Sequence, residues 1–446
     1  MTFYLLAYLL IVAVLIGGYF VVRMPLIRRA YLPTSVGAGL LLLIFGSELL
    51  GVVPSNLYEP FSPLPALLIN VVFATLFLGR PLLKLKEMWR IAGPQAAYGQ
   101  MLAWGYFAIG GLVTLFILMP FFKASPLTGA LLEISFEGGH GTAAGMIPVF
   151  NELGFQTGQE LSVALATTSL LSAMVIGFIM IAWARRHNLA VHSNPIEATK
   201  QKVSAWQIFR ELHLKGIRMR EEISLKRFIS QFILVALAVG AGVLIYEAFV
   251  LLENLTWGRN GLVIFGFMPV FTFCMFGGML AQYLWTRAGL TVSRPVVEVI
   301  SAAALGVLIT TAIGTMSLDF ITTDGWTYLI LAASGLLWTV GCFIVLARLM
   351  FKTHWFTNAI VSFGQSVGTT ATGLLFAQMV DPKQKTGVVE GFGYKQLMFE
   401  PLVGGGMLTA LSMPLIVALG LPVFTAICGV VCIGWMLFGI LYFGRR

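Results

Sequence analysis

Runs of about 20 apolar residues, separated by short basic clusters, constrain this chain more than any other feature. A run of that length, wound as an α-helix, just covers the hydrocarbon core of a bilayer, roughly 30 Å thick. Lipid offers no hydrogen bonds, so each crossing must satisfy its backbone internally. Spans read at residues 3–22, 34–53, 61–80, 93–121, 161–184, 228–252, 261–284, 295–316, 326–351, 396–418 and 421–443. The expected fold class is an all-α polytopic membrane protein. Hydrophobic residues make up 58% and charged residues 11%, against about 25% charged in soluble domains. Too few charges remain to solvate a soluble enzyme, a disordered scaffold or a secreted disulfide module.

The net charge of +9 does not point to nucleic acid. Ten of the 28 Lys and Arg residues lie between Arg185 and Arg227, and most others flank apolar runs. That is how cytoplasmic loops are charged. No basic residue precedes the first span, whereas Arg23, Arg28 and Arg29 follow it. This predicts an external N-terminus and a cytoplasmic C-terminus. The four cysteines (Cys274, Cys342, Cys428 and Cys432) sit in apolar runs without His or Asp partners, which predicts helix packing and no metal. Trp206, Phe209 and Leu212 in the basic loop are compatible with an interfacial helix on anionic lipid or with a solvated linker.

Two apolar stretches, 126–150 and 355–380, are rich in Gly, Ser and Thr. Treated as re-entrant hairpins, they leave every basic loop on one side. The strings Ser135–Ala144 and Ser362–Ala371 share Ser, Phe, Gly, Thr and Ala in one constant register, half a chain apart. Five spans precede the central loop, five follow, and one is added at the end. An odd number per unit inverts the second unit. The expected organisation is therefore an inverted repeat: residues 1–184, a basic loop at 185–227, a second repeat at 228–418, and an extra span in 419–446. This organisation is typical of secondary transporters.

Broken backbone at membrane depth survives only inside protein or around a cavity. The two hairpins are therefore predicted to enclose the substrate. Gly138, Gly139 and Gly141 would expose backbone N–H groups, and a helix starting near Thr142 would point its positive end at an anion. Gly364, Gly368 and Thr369 would do the same from the other side. The expected substrate-binding set is Gly138, Gly139, His140, Gly141, Thr142, Gly368, Thr369 and Thr370. The expected cation-binding set is Glu137, Ser135, Ser362, Gln365, Ser366, Thr372 and Asn70. Uncharged hydroxyls and carbonyls of this kind suit a small hard cation as coupling ion, and no other cofactor is implied. The residues admit a proton relay at His140, but a structural hydrogen bond is the commoner role. Glu298 and Glu400 lie near cytoplasmic ends, within reach of Arg294 and Lys395. With no Arg or Lys expected inside the site, the helix ends supply the positive potential, and Glu137 would hold a cation or the α-amino group of an amino acid.

Leu32-Pro33-Thr34-Ser35-Val36-Gly37-Ala38-Gly39 before the second span, Gly138–Ala144 in the first hairpin and Gly368–Ala371 in the second together resemble the bacterial sodium/glutamate symporter family. The resemblance runs from about Arg23 to the tenth span. It implies sodium-coupled uptake of glutamate or a related acidic amino acid across the plasma (inner) membrane. It also implies a homodimer whose hairpin domain moves against a scaffold. The sequence departs from that pattern in Glu137, which replaces a small polar residue, in a longer central loop, and in the eleventh span. A proton-coupled or exchange carrier for another small organic anion is the alternative. An enzyme is not expected: there is no His-Glu-x-x-His helix or P-loop, and Leu331-Ala332-Ala333-Ser334-Gly335 has Ala where a nucleophile motif needs Gly.

Overall fold

The computed structural model describes residues 12–20, 34–61, 63–79, 85–187, 189, 225–256, 265, 268–381, 385–400 and 402–445. Much of the first span, the Leu32-Pro33 start of the first motif, and Trp206, Phe209 and Leu212 lie outside the described residues. Among those described, the ordered elements are helical: α1 (Thr34–Phe45), α2 (Leu64–Ala74), α3 (Leu85–Val113), α4 (Gly139–Gly145), α5 (Thr157–Arg186), α6 (Leu225–Leu255), α7 (Val270–Arg287), α8 (Arg294–Gly314), α9 (Gly325–Gly341), α10 (Trp355–Val367), α11 (Thr370–Val380), α12 (Val388–Phe399), α13 (Met407–Leu419) and α14 (Leu421–Phe438). Among the described residues, six helical stretches are long and apolar enough to cross a membrane: Lys86–Phe122, Thr157–Arg186, Leu225–Leu255, Arg294–Gly314, Gly325–Met350 and Leu421–Phe443. The protein is a multi-pass membrane protein.

Several expected spans are not continuous helices. The run 34–53 is helical only to Phe45, and 61–80 only over Leu64–Ala74. At about 1.5 Å per residue, helices of 12 and 11 residues are too short to cross alone. The run 396–418 is cut in two between α12 and α13. Gly404 and Gly405 there adopt φ of +72° and +99°, which the right-handed helix cannot accommodate. Average hydropathy does not register such breaks, because glycine is neither polar nor charged.

One side of the outer helices is left to lipid. On α14, Val423, Ile427, Val430 and Leu437 are exposed, while Phe424, Cys428 and Cys432 are buried and the helix packs on α3. All four cysteines are buried free thiols. Helices α2, α6 and α7 contact one another, α8 packs on α2 and α6, and Ala74, Leu78, Leu234, Val235, Ala238, Cys274 and Val297 form a separate core among them, while α1 packs on α8. Arg294 ties α8 to the end of α2, donating to the carbonyls of Thr75 (2.9 Å) and Leu78 (2.8 Å) while pairing with Glu298 at 2.9 Å.

Both long helices that precede the Gly/Thr stretches end in the same defect. A π-turn at Thr114–Leu118 follows α3, and another at Cys342–Leu346 follows α9. The two defects therefore recur half a chain apart, as the glycine-rich strings do.

Candidate functional site

Three interruptions of helix meet in the buried interior. The first lies in the stretch after α3. A π-turn over Glu133–Glu137 ends at Gly138, Gly139 takes φ of +68°, and α4 begins there, ahead of the start expected near Thr142. The Thr142 hydroxyl donates to the Gly138 carbonyl at 3.0 Å. A Cβ on Gly138 would lie 2.7 Å from the Thr142 side chain and 2.6 Å from the Ile134 carbonyl, so only glycine fits.

The second interruption is Gly368-Thr369, between α10 and α11. These helices pack closely, and a Cβ on Gly364 would sit 3.0 Å from the Gly373 backbone. The missing side chain of Gly364 therefore serves contact between helices, while its carbonyl accepts from the Gly368 and Thr369 N–H groups, each at 3.1 Å. The Thr369 side chain caps α11, accepting from the Thr372 N–H at 3.2 Å, as expected at a helix start. A Cβ on Gly368 would meet the Gly364 carbonyl at 2.6 Å and the Thr372 hydroxyl at 2.9 Å. This is the environment of Gly138 again, although the matching of letters pairs Gly138 with Gln365 and not with Gly368.

The third is the bend from Glu400 to Gly406 that separates α12 from α13. It packs on the first: a Cβ on Gly405 would collide with the Thr142 hydroxyl, and one on Gly404 would lie 3.5 Å from Glu137 Cγ.

Polar side chains tie the interruptions together pairwise. Glu133 Oε1 accepts from the Gly404 N–H at 2.8 Å and from the Thr409 hydroxyl at 2.7 Å, joining the first to the third. Gln365 Nε2 donates to Glu137 Oε1 at 2.7 Å, joining the first to the second. Thr370 donates to Glu400 Oε1 at 3.2 Å, and Gln396 Nε2 donates to both Thr370 (2.8 Å) and Glu400 (2.8 Å), joining the second to the third. Glu133, Glu137 and Gln365 are all buried.

Lys395 stands in the middle of this arrangement. The sequence places it at the edge of a cytoplasmic loop, with the site free of basic side chains. In the structure it is completely buried, and Nζ donates to Gln365 Oε1. Its stem passes over Gly99 of α3, where a Cβ would come within 2.6 Å of Lys395 Cε. The ammonium lies 4.0 Å from the centre of the Phe399 ring, a cation–π contact. Gln365 bonds the Glu137 carboxyl directly, and Lys395 and Ser366 lie near it. A buried lysine needs an acid, and here Gln365 bridges it to one.

The sodium/glutamate symporter family model matches residues 2–383. The chain belongs to this family. It is therefore a sodium-coupled glutamate transporter and not an enzyme, and Ser334 donates its hydroxyl to the Leu331 carbonyl within α9. A search of curated proteins returns no match. The family match starts before Arg23 and stops short of the tenth span. In this symporter the first and second interruptions lie within the matched residues. Lys395, Gln396, Glu400 and the glycine bend lie beyond them.

Gly138, Gly139, Thr142, Gly368, Thr369 and Thr370 lie at the first two interruptions. Thr372 closes the cap of α11, with its hydroxyl 3.1 Å from that of Thr369. The Ser135 and Ser362 hydroxyls are buried and make no hydrogen bond, while that of Ser366 is buried near the Glu137 carboxyl. Gly141 faces Ile69 of α2. Asn70 donates to the Ala66 carbonyl one turn back and accepts from the Cys274 thiol at 3.8 Å, both outside the network of the interruptions. His140 bonds instead to α5: Nε2 lies 2.9 Å from the Thr167 hydroxyl, which donates to the Val163 carbonyl at 2.9 Å. With the Thr167 proton so used, Nε2 carries the ring proton and donates it. Thr167→Val should then cost about 1–3 kcal/mol of stability, seen as a lower melting temperature, without moving the pH profile of uptake. A displaced pH profile would instead give His140 a proton-transfer role.

Lys395, Gln396, Gly404–Gly406 and Thr409 escaped the sequence reading as members of the site. The run Gly404-Gly405-Gly406 carried the same signal as the other two glycine-rich sites, but an uninterrupted hydropathy average concealed it.

Proposed function

We propose that glutamate and sodium cross the membrane at the junction of the three interruptions. The observation that carries this is the pairwise linking of all three by buried polar side chains. Each interruption also exposes backbone groups that lipid could not satisfy. A substrate carboxylate is held by the N–H groups at the start of α11, beside Thr369 and Thr370. Helix α11 has 11 residues, whereas α4 has 7 residues, so α11 contributes the stronger end. Sodium draws on buried oxygens that have no hydrogen bond, those of Ser135 and Ser362 among them.

The stretches 126–150 and 355–380 act as re-entrant hairpins of an inverted repeat, with the extra span following. The paired π-turns and the shared environment of Gly138 and Gly368 support this reading. The charge pattern supports a plasma (inner) membrane protein with its N-terminus outside and its C-terminus in the cytoplasm. The family resemblance supports a homodimer in which the hairpin domain moves against a scaffold that includes α2, α7 and α8. The test is uptake of labelled glutamate by proteoliposomes. Uptake should follow an inward sodium gradient and be competed by aspartate more strongly than by glutamine. Equal uptake from sodium-free buffer under a proton gradient would favour the proton-coupled alternative.

A further inference from the structure

We propose that the charged ligand of the coupling sodium is Glu133, not Glu137. This rests on the sodium-coupled reading above and deepens it. The two carboxylates stand at opposite ends of one π-turn, both buried, and the structure treats them differently. Glu137 is joined through Gln365 to Lys395, so the protein supplies its own countercharge. Among the described residues, Glu133 has no such partner. Its hydrogen-bond partners, the Gly404 N–H and the Thr409 hydroxyl, are neutral, and the other ionisable group of the same π-turn is Glu137, another acid. Glu133 is completely buried, and while Oε1 accepts two hydrogen bonds, Oε2 makes none.

A buried carboxylate without a countercharge is strongly unfavourable and must acquire a cation or lose its charge. The surroundings suit a hard monovalent cation. Thr409 and the Gly404 N–H fix the orientation of the carboxylate, as ligating groups require. The bend from Glu400 to Gly406 takes backbone carbonyls out of the helical ladder, and the Ser135 hydroxyl is a further buried oxygen in the same π-turn. An ion bound there would join the first interruption to the third, drawing the α12–α13 bend onto the hairpin. Sodium binding would then be coupled to the packing around Gly405 and Thr142.

The experiment uses the purified full chain and sodium chloride against choline chloride, at fixed pH and without glutamate. The readout is the sodium concentration giving half-maximal thermal stabilisation. Glu133→Gln keeps an acceptor for Gly404 and Thr409 and should fold, yet raise that concentration by about tenfold or more. Thr409→Val should raise it as well, and Thr409→Ser should restore it. The double variant Glu137→Gln/Lys395→Met removes a balanced pair and should leave it within about twofold, whatever its effect on glutamate uptake. An unchanged midpoint in Glu133→Gln overturns the proposal, as does a shift in the double variant matching that of Glu133→Gln. If wild-type protein shows neither sodium-dependent stabilisation nor sodium-driven uptake, the sodium-coupled reading itself falls, which is a distinct outcome.

Discussion

Lys395→Met should abolish glutamate uptake and destabilise the protein by about 3–5 kcal/mol, the usual cost of removing one member of a buried charge pair. The ammonium is wholly enclosed by α3, α10 and α12, stacked on Phe399 and bonded to Gln365. Without it, Glu137 is left with a buried negative charge and no countercharge among the described residues. Methionine fills most of the space over Gly99, so the loss reads out charge more than volume. Glu137→Gln alone should be harmful for the mirror-image reason, since it strands the ammonium. Combining the two should recover much of the stability, and melting temperatures of the four proteins would measure the coupling. A coupling energy below about 0.5 kcal/mol would mean that the two groups act independently.

Gly405→Ala should have the second large effect. At φ of +99° an alanine is strained by about 1–2 kcal/mol. Its methyl would collide with the Thr142 hydroxyl and lie 3.1 Å from Phe73 Cζ, adding about 1–3 kcal/mol of overpacking. The bend would be pushed off the first interruption, and Glu133 would lose its hold on Gly404. Uptake should fall at least as far as stability. Gly51→Ala makes the comparison clean, because Gly51 also has positive φ, +63°, but nothing lies within 4 Å of the added carbon. It should show the backbone cost alone. Adding Thr142→Ala to Gly405→Ala should relieve the clash but not the backbone strain. If Gly405→Ala behaves like Gly51→Ala, the close approach of bend and hairpin is not important.

The Ser135–Ala144 and Ser362–Ala371 strings were legible because their glycines and hydroxyls interrupt otherwise apolar runs, and they do lie at helix breaks. The register of the correspondence was less secure. Matching letters align Thr142 with Thr369, whereas the same backbone environment recurs at Gly138 and Gly368. Such strings are rich in repeated small residues, and a shift close to one helical turn preserves many identities. His140 was visible as an isolated polar residue in an apolar stretch, but its partner Thr167 lies 27 residues away on α5. No spacing rule would have found it.

The sequence by itself determined the class of protein and its family. Both follow from local properties: apolar runs of bilayer length, basic loops, and glycine-rich strings that interrupt the apolar runs. Tertiary structure decided which charges belong to the site. Lys395 reads as a loop residue because hydropathy is averaged along the chain. Yet Gln365 on α10, and through it Glu137 from the other half of the chain, bring it inside. Glu133 and Glu137 look equivalent in sequence, and only packing gives one a built-in countercharge and leaves the other without. The physical reason is the cost of an unpaired charge in a low-dielectric interior. It is settled by whatever lies within a few ångströms, and in this fold those neighbours come from distant parts of the chain.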